Sequence, residues 1–224
     1  MSTVKRIAAL LVGIIAVTSV TAPAFGVGIQ DARARAAERL KLEGGLGDEA
    51  LDAQKYDEAI EHYSNVIAGK ACGGDCGKYY FKRGLAYQGK EDCVRAVADY
   101  EKAGETLTDN GELYFHESLC HSALNQPDLA LADLNKAITV NPDSMIYHVS
   151  RCIALFNKQN FAGALPDCEA TLTSAPDDQK MLYAAAMSAE QTGDKAKAAK
   201  YYKHLRDLDH GNSQASDGLK RVGG

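Results

Sequence analysis

Along most of the chain apolar residues recur three and four positions apart, the spacing that gathers them on one face of an α-helix. The apolar stripes come in pairs, separated by short polar stretches such as Gln88-Gly89-Lys90 and Gln191-Thr192-Gly193-Asp194. Such stretches supply turns, so each pair of stripes predicts a helical hairpin. The hairpins repeat: Ala96, Ala130, Ala164 and Ala198 fall on a period of 34 residues without a gap, and Ala59 joins them after a step of 37. A hairpin of that size cannot bury its apolar face alone, and stacking it on its neighbours forms one continuous core.

The same register orders the other sites. In the first helices an aromatic site holds Tyr80, Tyr114, His148 and Leu182, and four residues on a small site holds Gly84, Ser118, Cys152 and Ala186. A large site follows with Tyr87, His121, Leu155 and Ala189, and in the second helices each Ala is followed by Tyr100, Leu134, Cys168 or Tyr202. Pro142 and Pro176 close two of the units. Small residues let two helices cross closely while large groups fill the space on either side. The pattern resembles that of the tetratricopeptide repeat (TPR) family. The resemblance implies an all-α fold, a right-handed superhelical solenoid of antiparallel helix hairpins, with full repeats at residues 77–110, 111–144, 145–178 and 179–212.

The ends are less regular. Gln54 to Gly69 has the pattern of a second helix, but Gly44, Gly45 and Gly47 weaken what precedes it, since an interior Gly costs about 1 kcal/mol relative to Ala. Residues 25–76 therefore read as an N-terminal segment with an irregular first repeat. Ala215, Leu219 and Val222 recur at helical spacing, so residues 213–224 are expected to form a capping helix and tail. Lys5 and Arg6 precede an apolar run from Ile7 to Val20, and Ala22-Pro23-Ala24 offers small residues for a signal peptidase. Residues 1–24 thus read as a signal peptide, and the protein is expected to be exported, periplasmic or secreted. The run is 14 residues long and broken by Gly13, Thr18 and Ser19, against the roughly 20 apolar residues a bilayer-crossing helix needs, so no retained membrane anchor is expected. Without this segment 23 Lys plus Arg stand against 30 Asp plus Glu. An acidic surface repels nucleic acid and anionic lipid, and no nucleic acid is expected among the partners.

Six cysteines in an exported chain suggest disulfides, which persist in oxidising compartments. Cys72 and Cys76 flank Gly73-Gly74-Asp75, Cys152 and Cys168 occupy facing core sites of one hairpin, and Cys93 and Cys120 lie in consecutive helices. The expected pairs are 72 with 76, 93 with 120 and 152 with 168, although spacing leaves the connectivity open. The site before the small residue, usually Leu in the family, holds Arg83, Glu117 and Arg151, while Asp99, Asp133 and Asp167 recur in the second helices. An ion-pair network is expected, each Arg with a neighbouring Asp and Glu117 between the two Arg, because half-buried charges are usually paired; an anion site is the other reading.

No Gly-rich phosphate loop, HExxH or Gly-flanked nucleophilic Ser is present. Glu117 and His121 are four apart, but such a pair on a repeat helix reads as packing. The protein is not expected to be an enzyme, and no catalytic residue, cofactor or metal ligand is assigned. The family binds peptides in a concave groove lined by first helices. Carried over, this implies a partner-binding groove made of one ladder, Phe81, Phe115, Val149 and Tyr183, and a second one turn later, Leu85, Leu119, Ile153 and Met187. The implied function is a non-catalytic interaction scaffold for a protein or peptide partner in the cell envelope. Plain packing of the ladders and self-association through them are the competing readings. A function of another class is a metal- or redox-responsive exported protein using His116 with Cys120 and His148 with Cys152, each pair sharing a helix face.

Overall fold

The computed structural model describes residues 24–69, 72 and 76–223, so the expected signal peptide, apart from Ala24, lies outside the described residues. Among those residues the secondary structure is eleven α-helices and no strand: α1 Ala24–Asp52, α2 Tyr56–Ala68, α3 Gly77–Gly89, α4 Cys93–Gly104, α5 Gly111–Ala123, α6 Pro127–Val140, α7 Met145–Asn157, α8 Phe161–Ser174, α9 Gln179–Gln191, α10 Lys195–Leu208 and α11 Ser213–Val222. None of them is long and apolar enough to cross a membrane. The chain divides into two units, Met1–Glu38 and Arg39–Gly224. In the first, Arg35 and Asp31 form an exposed pair one turn apart on α1, at 3.0 Å.

Local chemistry sets the helix limits. Asp92, Asn110, Asn160, Asp178, Asp194 and Asn212 each accept a hydrogen bond from the backbone N–H three residues on, capping α4, α5, α8, α9, α10 and α11. Pro127 opens α6, where its missing N–H costs nothing. The turn inside each hairpin passes through a left-handed residue: Gln54, Glu91, Asn125, Gln159 and Gly193, with φ of 57°, 61°, 57°, 59° and 90°. In all five the next residue donates to a carbonyl five positions back, as Asp92 does to Tyr87 and Asp194 to Ala189, both at 2.9 Å. These bonds satisfy carbonyls that the ending helix leaves free.

Helices pack in chain order, α3 on α4, α5 on α6, α7 on α8 and α9 on α10, each hairpin resting on the next through α4–α5, α6–α7 and α8–α9. The periodic alanines explain the close crossings: Ala59, Ala96, Ala130, Ala164 and Ala198 are all fully buried. Beside them lie Tyr63, Tyr100 and Tyr202, fully buried and each worth roughly 1.5–3 kcal/mol of apolar burial. Their hydroxyls donate to Asp48 (2.8 Å), Gln88 (2.7 Å) and Glu190 (2.7 Å), so each of these three phenols is hydrogen-bonded despite its burial. The glycines of α1 do not interrupt it. A Cβ on Gly47 would stand 2.6 Å from the Tyr63 ring, so the residue that costs helix propensity is also what admits α2 to close contact.

Candidate binding face and charged hairpin interiors

The first helices lie on the inner side of the stack. α3 touches α5, α7 touches α9 and α9 touches α11, whereas among the described residues successive second helices make no comparable contact. The two ladders sit on these helices at unequal depth. Phe81 is buried, its ring 6.0 Å from that of Tyr100 and 6.1 Å from His116, and it belongs to the core. Leu85 packs partly buried against the same cluster, and Val149 does so against the cluster around Cys152. Phe115, Tyr183 and Met187 are half-buried; Leu119 and Ile153 are open, at 38% and 42% exposure. At Phe81 the packing reading holds rather than the groove reading, since α4 and the following repeat enclose it.

The open part of the face deepens toward the C-terminal end of the array. There Ile153, Phe156, Met181, Tyr183, Ala184 and Leu205 line a cavity of about 470 Å³. Gln179, Lys180, Asn212 and Gln214 supply its polar edge. Phe156 meets Tyr183 edge-on, at 6.2 Å between ring centroids. The residues around Asn212 escaped the sequence reading because α11 is not part of the repeat; its start completes the cavity wall.

Inside the hairpins the charges follow two designs. Asp99 accepts two hydrogen bonds from Arg83, at 2.7 and 2.8 Å, and Arg83 also donates to Ser64 at 2.9 Å. Asp167 likewise accepts from Arg151 at 2.6 and 2.8 Å, and pairs with His148 at 2.7 Å. Hydrogen bonding to these carboxylates raises both guanidinium pKa values further. The middle hairpin differs. Asp133 pairs with His121 at 2.7 Å and with Lys136 at 2.9 Å, while Glu117 bonds to neither arginine. Burial, and then the neighbouring Asp133, push the Glu117 carboxyl up to about 7. The expected place for Glu117 between Arg83 and Arg151 is therefore corrected: each arginine forms its ion pair with the aspartate of its own hairpin, and its further hydrogen bond goes to the preceding helix, to Ser64 and Asn135 respectively.

Cys72 is joined to Cys76 and Cys152 to Cys168, with Cα atoms 5.0 and 5.3 Å apart. Cys93 and Cys120 are separate thiols, so the third expected bridge is not formed. The Cys120 thiol is pushed up by burial and by its hydrogen bond with Cys93. The two His–Cys pairs are engaged elsewhere. His148 contacts Asp167 and the Pro142 carbonyl while Cys152 is bridged; His116 contacts Gln88 at 2.9 Å and packs against Phe81 and Tyr100. Burial lowers the His116 pKa.

The stack of hairpins has counterparts among known proteins. It is similar to the crystal structure of YrrB, described as a TPR protein with an unusual peptide-binding site, at TM-score 0.70 and 20% identity over 88% of this chain and 98% of that one. It is also similar to the crystal structure of MamA, at TM-score 0.67 and 18% identity over 77% of this chain and 93% of that one. Among curated relatives, human mitochondrial import receptor subunit TOM70 is 25% identical over 141 residues, and the human SGT1 homologue 29% identical over 75. The matches span 59% and 34% of this chain, but only 23% and 20% of the length of those two proteins. A tetratricopeptide repeat model matches residues 45–108, 121–178 and 151–213. With most of its length matched and its hairpins stacked in the same order, the chain belongs to the tetratricopeptide repeat family.

Proposed function

We propose that this protein is an exported, non-catalytic scaffold that holds an extended segment of an envelope protein on the face formed by its first helices. The observation that carries the reading is the exposure of Leu119 and Ile153 in line with half-buried Phe115 and Tyr183, leading into the cavity beside Phe156. Large apolar groups left open in a row mark a surface that a partner covers. The polar rim at Gln179, Asn212 and Gln214 offers donors and acceptors to a peptide backbone. The peptide-binding description of YrrB supports the same use of a stacked array. Export rests on Lys5, Arg6 and the apolar run to Val20, and the bridges at Cys72–Cys76 and Cys152–Cys168 suit an oxidising compartment.

Affinity capture from an envelope extract tests the binding reading. Ile153→Asp and Leu119→Asp, each with unchanged helix content by circular dichroism, are expected to lose the partner that the unaltered chain retains. Equal capture by the variants would overturn it. Mass spectrometry of exported protein is expected to find an N-terminus at Phe25; recovery of the full-length chain in the cytoplasm alone would overturn export.

A further inference from the structure

The middle hairpin carries a side-chain cluster that its neighbours lack. Glu117 and His121 stand one turn apart on α5, and Asp133 faces them from α6. All three are buried, at 6%, 6% and 3% exposure, and one ligand atom from each lies within 4.8 Å of the others. Among the described residues Glu117 makes no hydrogen bond or ion pair, although it is enclosed beside a second carboxylate. A buried carboxylate without a donor is costly unless something of opposite charge meets it. Arginine fills that role in the α3–α4 and α7–α8 hairpins; here Lys136 and His121 pair with Asp133, and Glu117 has no hydrogen-bonded cation of its own.

We propose that Glu117, His121 and Asp133 bind one zinc-class divalent cation inside the α5–α6 hairpin. The donor set of one imidazole and two carboxylates suits such an ion. Zinc bonds of about 2.0–2.2 Å place its ligands roughly 3–3.5 Å apart, a closure that side-chain rotation on two packed helices supplies. His121 Nδ1 and Asp133 Oδ2 are hydrogen-bonded at 2.7 Å; the ion takes the place of that hydrogen bond, and Glu117 supplies the third bond. Lys136 keeps its hydrogen bond to the other Asp133 oxygen at 2.9 Å and holds the carboxylate in orientation from the solvent side. Three protein ligands leave a fourth position for water.

The probe is Co²⁺ added alone to the purified, untagged full chain, followed by its visible absorption and by titration calorimetry. One Co²⁺ per chain is expected, with nitrogen and oxygen ligation and no thiolate charge-transfer band, displaced by Zn²⁺ but not by Mg²⁺. Glu117→Gln and Asp133→Asn are each expected to weaken binding by at least about a hundredfold. Glu117→Arg, which installs the residue found at the same site in the flanking hairpins, is expected to keep the helix content and abolish binding. Replacing Cys93 and Cys120 together by Ser is expected to leave binding unchanged. Absence of stoichiometric binding, full binding by the Glu117→Arg chain, or loss of binding with the two cysteines would each overturn the proposal.

Discussion

The α5–α6 hairpin and the α7–α8 hairpin that follows it share length, turn and periodic alanine, yet their interiors solve the same electrostatic problem differently. In α7–α8 an aspartate is met by a guanidinium and an imidazole, and every buried charge has an opposite neighbour. In α5–α6 the corresponding aspartate meets an imidazole and a lysine, and the position of the arginine is taken by a second carboxylate. One interior is self-sufficient; the other holds a second carboxylate, Glu117, that no cation among the described residues meets by a hydrogen bond. Uniform backbone architecture therefore does not imply uniform chemistry along a repeat array.

The contrast can be broken from its stronger side. Asp167→Ala removes the buried carboxylate that Arg151 and His148 share, leaving Arg151 its bond to Asn135 and His148 its bond to the Pro142 carbonyl, and urea unfolding is expected to record a loss of about 3–5 kcal/mol. A loss below about 1 kcal/mol would mean that solvent replaces the pair. Gly84→Ser gives the α3–α4 hairpin the residue that α5–α6 carries at the same small site. Its Cβ would stand 2.5 Å from the Tyr100 ring, and a loss of about 1–3 kcal/mol is expected from overpacking, read by the same measurement. The middle hairpin should respond with the opposite sign: without added metal, Glu117→Gln removes one of two facing carboxylates and is expected to gain about 1 kcal/mol at neutral pH. The smallest effect sharpens the contrast with a glutamate that does have donors. Glu190 is held below its ordinary value by Arg221 and then Tyr202. Its stabilising contribution is thus present above about pH 4.5 and lost as pH falls through the lowered folded value. Hydrogen exchange is expected to find α11 fraying before α9 on acidification.

Much of this was legible in the residues because the period is a backbone property. The alanines at 96, 130, 164 and 198 are the crossing points of helices, and their spacing fixed where each hairpin lies. The pairing of Arg83 with Asp99 and of Arg151 with Asp167 follows from the same register. The fate of Phe81 was not legible, since a position facing the inner side of the stack is open or closed according to the size of its neighbours, here Tyr100 and His116. Nor was the state of Cys93 and Cys120, which adjoin without being joined. The pair Glu117 and His121 looked unremarkable along one helix, and only Asp133, arriving from α6, turns it into a cluster.

The five hairpin corners all use one left-handed residue and one five-residue hydrogen-bonded closure, although only the last of them is glycine. Because every corner is built alike and each unit leans on its immediate neighbours, insertion or deletion of a complete unit by recombination leaves the remaining corners undisturbed. Such a lineage can change the reach of its array without reinventing its bend.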